Sequence, residues 1–73
     1  MNASPQIKIT VNGEPRQVPP GLTLSALLER LGIDVQRVAV ELNRAIVRKS
    51  AWDETPVGEG ATLEIVEFVG GGK

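Results

Sequence analysis

The residues most able to do chemistry stand at the far end of the chain: Gly70-Gly71-Gly72, followed by Lys73. Successive glycines have no side chain to bury and lose more backbone freedom on ordering than any other residue. They are either slack or a thread that delivers a main-chain carboxylate into a narrow site on another protein. From Val69 to Gly72 such a thread spans roughly 13 Å, at about 3.3 Å per residue. A Cβ anywhere along it would widen its cross-section and restrict its dihedral angles. A carboxylate is a poor electrophile at neutral pH. Conversion by ATP to an acyl-adenylate activates it, and a sulfur or amine nucleophile can then displace AMP. For that reaction the thread's owner need supply no acid, base or metal.

The rest of the chain offers little else to do chemistry with. It has no cysteine, so disulfides, thiolate metal sites and thiol catalysis are excluded. It has no histidine, the usual general base near neutral pH and the commonest metal ligand. Asp53-Glu54 are adjacent carboxylates, but neighbours in a loop seldom face one another, and they read as solvated. Arg44, Arg48 and Lys49 read as the charged edge of a sheet, protected from pairing with other chains. Gly58-Glu59-Gly60 lacks the lysine of a phosphate loop and does not lead from a strand into a helix, so it reads as a turn. No serine, threonine or lysine has an activating neighbour. The chain is therefore expected to be acted upon by enzymes and not to be one.

Charge and hydropathy narrow the setting. Eight basic residues nearly cancel nine acidic ones, which gives no general electrostatic hold on nucleic acid or membrane. No apolar run is long enough to span a bilayer. Met1-Asn2-Ala3-Ser4-Pro5 lacks the features of a signal peptide, and Asn2-Ala3-Ser4 matches a glycosylation triplet only by chance. A cytoplasmic protein is expected. Seventy-three residues make one domain of modest stability, since a chain of this size hides only about 60% of its unfolded surface. The expected division is a domain over residues 1–69 and a glycine-rich tail over residues 70–73.

The elements that must position the tail are legible from periodicity. Ile7, Ile9 and Val11 alternate with polar residues, as in a strand. Asn12-Gly13 then marks a type I′ hairpin turn. The returning strand, residues 14–18, contains Pro15 and belongs at a sheet edge. Pro19-Pro20-Gly21 ends it. Leu24, Leu27, Leu28 and Leu31 form one apolar stripe of a short helix. Thr23 is its N-cap, Gly32 its left-handed terminator, and Ile33 reaches back to Leu28. Val38, Val40 and Leu42 mark a third strand and Ile46-Val47-Arg48 a short fourth, joined at Asn43-Arg44. Residues 50–60 read as irregular, with Trp52 an aromatic plug over the core. A final strand starts at residue 62 and ends at about residue 68.

One helix covers one face of a sheet, which makes a two-layer α+β domain. The element order is that of the β-grasp, or ubiquitin-like, fold: a mixed four- to five-stranded sheet with one main helix packed on one face. In that fold the first and last strands pair in parallel at the centre, so the C-terminus leaves from mid-sheet. Along the last strand Leu63 and Ile65 point one way and Glu64, Val66 and Phe68 the other. If the first pair meets the helix, Val66 and Phe68 form an apolar patch beside the tail. The other reading bends Phe68 under Trp52 or the sheet rim. Glu64 and Glu67 add negative charge at the tail's exit, suited to a basic partner.

These residues carry a resemblance. Ile9-Thr10-Val11-Asn12-Gly13-Glu14, Thr23-Leu24-Ser25-Ala26-Leu27-Leu28, Val38-Ala39-Val40-Glu41-Leu42-Asn43 and above all Glu64-Ile65-Val66-Glu67-Phe68-Val69-Gly70-Gly71-Gly72 resemble the ThiS family of sulfur carriers in thiamin thiazole synthesis. The resemblance runs from about residue 6 to residue 72. It implies that a ThiF-type enzyme adenylates Gly72 with ATP and Mg²⁺, and that a cysteine desulfurase route supplies sulfur for a thiocarboxylate. A ThiG-type thiazole synthase then takes that sulfur. Gly70 and Gly71 would be the thread, and Glu64, Val66, Glu67, Phe68 and Val69 the docking residues. Lys73 departs from the pattern, because the family usually ends at the diglycine. Lys73 is trimmed by a peptidase, or is an artefact of expression, or no thiocarboxylate forms; trimming is the reading adopted. The alternatives are a carrier for molybdopterin, tRNA thiolation or amino-acid synthesis, a non-catalytic interaction module, and a modifier conjugated to lysines.

Overall fold

The computed structural model describes residues 5–68. Strands β1 (Ile7–Val11) and β2 (Glu14–Val18) form the expected hairpin. Its turn residues Asn12 and Gly13 have φ of 50° and 84°, the double left-handed geometry that a type I′ turn requires. The amide of Thr10 points away from β2, to the Ala61 carbonyl at 2.9 Å. Its partner Pro15 is therefore in a non-hydrogen-bonded pair. The proline nitrogen faces outward from an edge strand, where no ladder bond is lost.

Helix α1 (Leu24–Arg30) begins and ends as its caps dictate. The Thr23 hydroxyl accepts from the Ala26 amide at 3.2 Å. At the other end Gly32 has φ of 75°, its amide donates to the Glu29 carbonyl, and the Ile33 amide donates to the Leu28 carbonyl at 3.1 Å. That pair of bonds is a Schellman ending. Seven residues would not stay helical in water. The helix is held because Leu24, Leu27 and Leu28 are fully buried against the sheet.

Strands β3 (Val38–Leu42), β4 (Ala45–Val47) and β5 (Thr62–Glu67) complete a five-stranded sheet in the order β2-β1-β5-β3-β4. β1 and β5 pair in parallel at the centre, and the other pairs are antiparallel. With one helix on one face, this is the β-grasp arrangement. Ile9, Val11, Val18, Val40 and Leu63 meet the helix leucines in one core, closed by Trp52, Val57 and Ala61.

Three sequence expectations need correction. The fourth strand is Ala45–Val47, so Arg48 lies just beyond it. The last strand ends at Glu67, although the Phe68 amide still bonds the Arg37 carbonyl at 2.7 Å. The stretch read as irregular contains a 3₁₀ segment, Lys49–Glu54. Trp52 is buried within that segment, its indole N–H donating to the Val47 carbonyl at 2.9 Å. The Thr55 hydroxyl donates to the Ala51 carbonyl at 2.7 Å. The following residues tie down the start of the helix, through Leu24 N–H to Thr55 C=O and Val57 N–H to Leu22 C=O. Trp52 is thus the core plug that the sequence suggested.

Candidate docking site at the end of the central strand

β5 lies between β1 and β3, so it leaves the domain from mid-sheet. Two asparagines fix it. At its start, the Asn43 amide donates to the Thr62 carbonyl at 2.7 Å, and the Thr62 amide returns a bond to Asn43 Oδ1 at 3.0 Å. Further along, β1 has ended at Val11. There the Asn12 amide donates to the Leu63 carbonyl at 2.8 Å. Its side chain then takes over: the Ile65 amide donates to Oδ1 at 2.7 Å, and Nδ2 donates to the Ile65 carbonyl at 3.2 Å. A side-chain amide carries one donor and one acceptor group in the right geometry to act as an extra rung of β1. Both asparagines read from the sequence only as turn residues. Their second role depends on β5, which lies far along the chain.

The β-strand alternation sorts the candidate residues. Leu63 is fully buried under the helix and Ile65 packs beside it. Val66 pairs with Ala39, and Glu64 with Glu41, on the face the helix leaves open. Val66 is 59% exposed and Phe68 55% exposed. Phe68 is therefore not tucked under Trp52; it stands exposed, as Val66 does. Glu64 shares this face. Glu67 does not: it pairs with the core residue Val38 and lines a notch of about 370 Å³ with Asn12, Ile33, Asp34 and Ile65. The sequence reading grouped Glu67 with Glu64 by nearness to the tail, but three residues along a strand place them on opposite faces. The expected docking and threading residues Val69, Gly70 and Gly71, the working residue Gly72, Lys73, and the boundary between domain and tail lie outside the described residues.

Register adds one residue that sequence reasoning did not single out. Ile46 on β4 is opposite Glu41 and is 77% exposed. Its face was hidden because a three-residue strand has too short a period to read. The larger hollow, about 450 Å³, lies between α1 and the 3₁₀ segment and is lined by Ser25, Glu29, Ile33, Val35, Lys49, Trp52 and Asp53. Ser25 shares this lining with Glu29, Lys49 and Asp53, but among the described residues no hydrogen bond joins its hydroxyl to any of them. Asp53 and Glu54 are exposed to solvent, though within the 3₁₀ segment and not in a loop. Among the described residues no group of three or more His, Cys, Asp or Glu could hold a metal ion. No helix among them is long and apolar enough to cross a membrane. What the open face offers is an exposed surface with three large hydrophobic side chains, Ile46, Val66 and Phe68.

Known proteins share this sequence and shape. The ThiS family profile matches residues 9–72. A thiazole synthase of Paramagnetospirillum magneticum is 47% identical over 90% of this chain, but the matched stretch is 20% of that protein. The chain thus spans about a fifth of the length of the thiazole synthases it matches. The sulfur carrier protein ThiS of Thermus thermophilus is 34% identical, with 88% of this chain and 98% of that protein covered. The crystal structure of the thiamine biosynthesis protein ThiS from Geobacter metallireducens superposes with a TM-score of 0.79 at 36% identity, covering 90% of this chain and all of that one. A family match that runs from the first core strand to the third glycine, on the same fold, shows that this chain belongs to the ThiS family.

Proposed function

We propose that this protein carries sulfur to thiazole formation in thiamin synthesis, in the cytoplasm, as a protein co-substrate and not as a catalyst. The observation that carries the reading is the family match through residue 72, which takes in all three glycines beyond an exposed strand end. In this reading a ThiF-type enzyme, using ATP and Mg²⁺, joins the Gly72 carboxylate to AMP and releases pyrophosphate. A persulfide from a desulfurase route then displaces AMP to give an acyl persulfide. A thiol reductant cleaves its S–S bond and is left as the disulfide, and the thiocarboxylate so released is delivered to a ThiG-type thiazole synthase. The stretch resembling this chain inside a thiazole synthase supports the last partner, since a carrier and its acceptor work at close quarters.

Each part of the chain then has a role. Gly70 and Gly71 thread the partner's channel, and Val69 leads into it. Val66 and Phe68 provide apolar contact, with Glu64 beside them. Glu67, on the other face, borders the notch. Lys73 must be removed first, because its long charged side chain does not fit a glycine-selective channel.

The test uses the chain ended at Gly72, its cognate adenylating enzyme, ATP, Mg²⁺ and a sulfur source, with intact mass as the readout. The expected gain equals replacement of one oxygen by sulfur. Unchanged mass, with neither adenylate nor thiocarboxylate, would defeat the carrier reading. Full-length protein isolated from its own cells should lack Lys73; a stable population that retains it would count against trimming.

A further inference from the structure

We infer that Glu41 and Glu64 form a clamp for one basic side chain, an arginine or lysine, on the protein that docks against the open face. The partner's identity rests on the carrier reading; the clamp rests on the register. Glu41 is directly opposite Glu64 on one side and Ile46 on the other. Backbone bonds at Thr62 and Phe68 fix the alternation and make Glu41–Glu64 a hydrogen-bonded pair, with Cα atoms about 5.5 Å apart.

Like charges directly opposite on neighbouring strands are destabilising, and among the described residues no ion pair to either glutamate offsets this. Among the described residues the ion pair present is Arg16–Glu14, at 3.9 Å on β2. Arg44 and Arg48 stand at the two ends of β4, and Arg37 adjoins β3, but none of them forms an ion pair with either glutamate. The free protein therefore keeps a repulsion that a cation between the two carboxylates would relieve.

Apolar groups surround this acidic pair. Ile46, Val66 and Phe68 are the large hydrophobic side chains that stand exposed among the described residues, and all three fall on this face. An arginine suits such a site, since its guanidinium can meet both carboxylates while its stem lies along apolar neighbours. A second copy of this chain does not suit it. Symmetric face-to-face pairing would bring Glu41 and Glu64 against their own counterparts or close to them. Nucleic acid phosphates would be repelled.

The clamp predicts opposite effects on stability and on binding. In the chain ended at Gly72, Glu41→Gln should raise Tm and weaken binding to the cognate ThiF-type enzyme by about fivefold. Glu41→Lys, which places a cation opposite Glu64, should raise Tm further and weaken binding by at least about tenfold. Wild-type affinity should fall with added salt, and the Gln variant's should fall less. Glu54→Gln, in the distant 3₁₀ segment, should change neither quantity. Affinity within twofold of wild type for both Glu41 variants, or a lowered Tm in the Gln variant, would overturn the clamp. So would wild-type self-association that the Lys variant abolishes. An unaltered affinity in these variants, alongside a normal thiocarboxylate on the wild type, removes the clamp and leaves the carrier reading intact. A wild type that neither binds nor gains sulfur removes both.

Discussion

The two faces of the central sheet differ in what their residues are for. On the helix side, Ile9, Val40 and Leu63 are almost wholly buried with the helix leucines. On the open side of the same strands stand Thr10, Glu41, Glu64, Val66 and, on β4, Ile46. Adjacent residues of β5 thus differ in setting: Leu63 is fully buried in the core, while Glu64 and Val66 stand on the face the helix leaves open. The contrast shows how a small domain can specialise without a catalytic group. Folding free energy is gathered on one face, which frees the other to carry an apolar patch and an unrelieved charge repulsion. Surface of that kind weakens the free protein slightly; in the proposed reading its use is in a complex.

Substitutions along β5 and its clamps should break this contrast in order of size. Leu63→Ala removes a fully buried side chain and should cost about 2–5 kcal/mol. In so small a domain that approaches the whole stability, and urea denaturation will show a transition shifted close to zero denaturant. Asn12→Gly keeps the left-handed turn but deletes both side-chain bonds to Ile65, at a cost of about 1–2 kcal/mol. Amide exchange at Ile65 should accelerate more than at Leu63. Arg44→Gly should have the opposite sign. Arg44 has φ of 73°, a conformation that disfavours a side chain by about 1–2 kcal/mol, so the glycine variant should melt higher. Val66→Ser, on the open face, should move stability by less than about 0.5 kcal/mol while weakening binding to the adenylating enzyme. A Val66 variant as unstable as the Leu63 variant would erase the distinction between the faces.

Much of this could be read from local signals. Asn12-Gly13 specified its turn, and Thr23 and Gly32 bounded the helix, because the bonds involved lie within a few residues. The leucine stripe and the alternation in β1, β3 and β5 identified the core face. What escaped depended on partners distant in sequence. Asn43-Arg44 looked like a weak turn because an arginine seldom takes positive φ; bonds to Thr62, in β5, hold it there. The 3₁₀ segment has no hydrophobic period of its own and is organised around Trp52 and its bond to Val47. Ile46 and the Glu41–Glu64 pairing required the register, which no single strand encodes. Within the candidate site, the face of Glu64 and Val66 followed from period two, and the same rule separates Glu67 from them; Phe68 has two readings in the sequence, and its exposure decides between them.

Transfer of sulfur in a single turnover would decide whether this chain is a carrier. The chain ended at Gly72 is first converted to its thiocarboxylate, then mixed with the ThiG-type thiazole synthase and that enzyme's other substrates, with carrier mass and thiazole product followed together. The carrier's mass should return to that of the carboxylate as about one thiazole forms per carrier consumed. A thiocarboxylate that persists beside an active synthase, with no thiazole formed from it, would contradict the carrier reading.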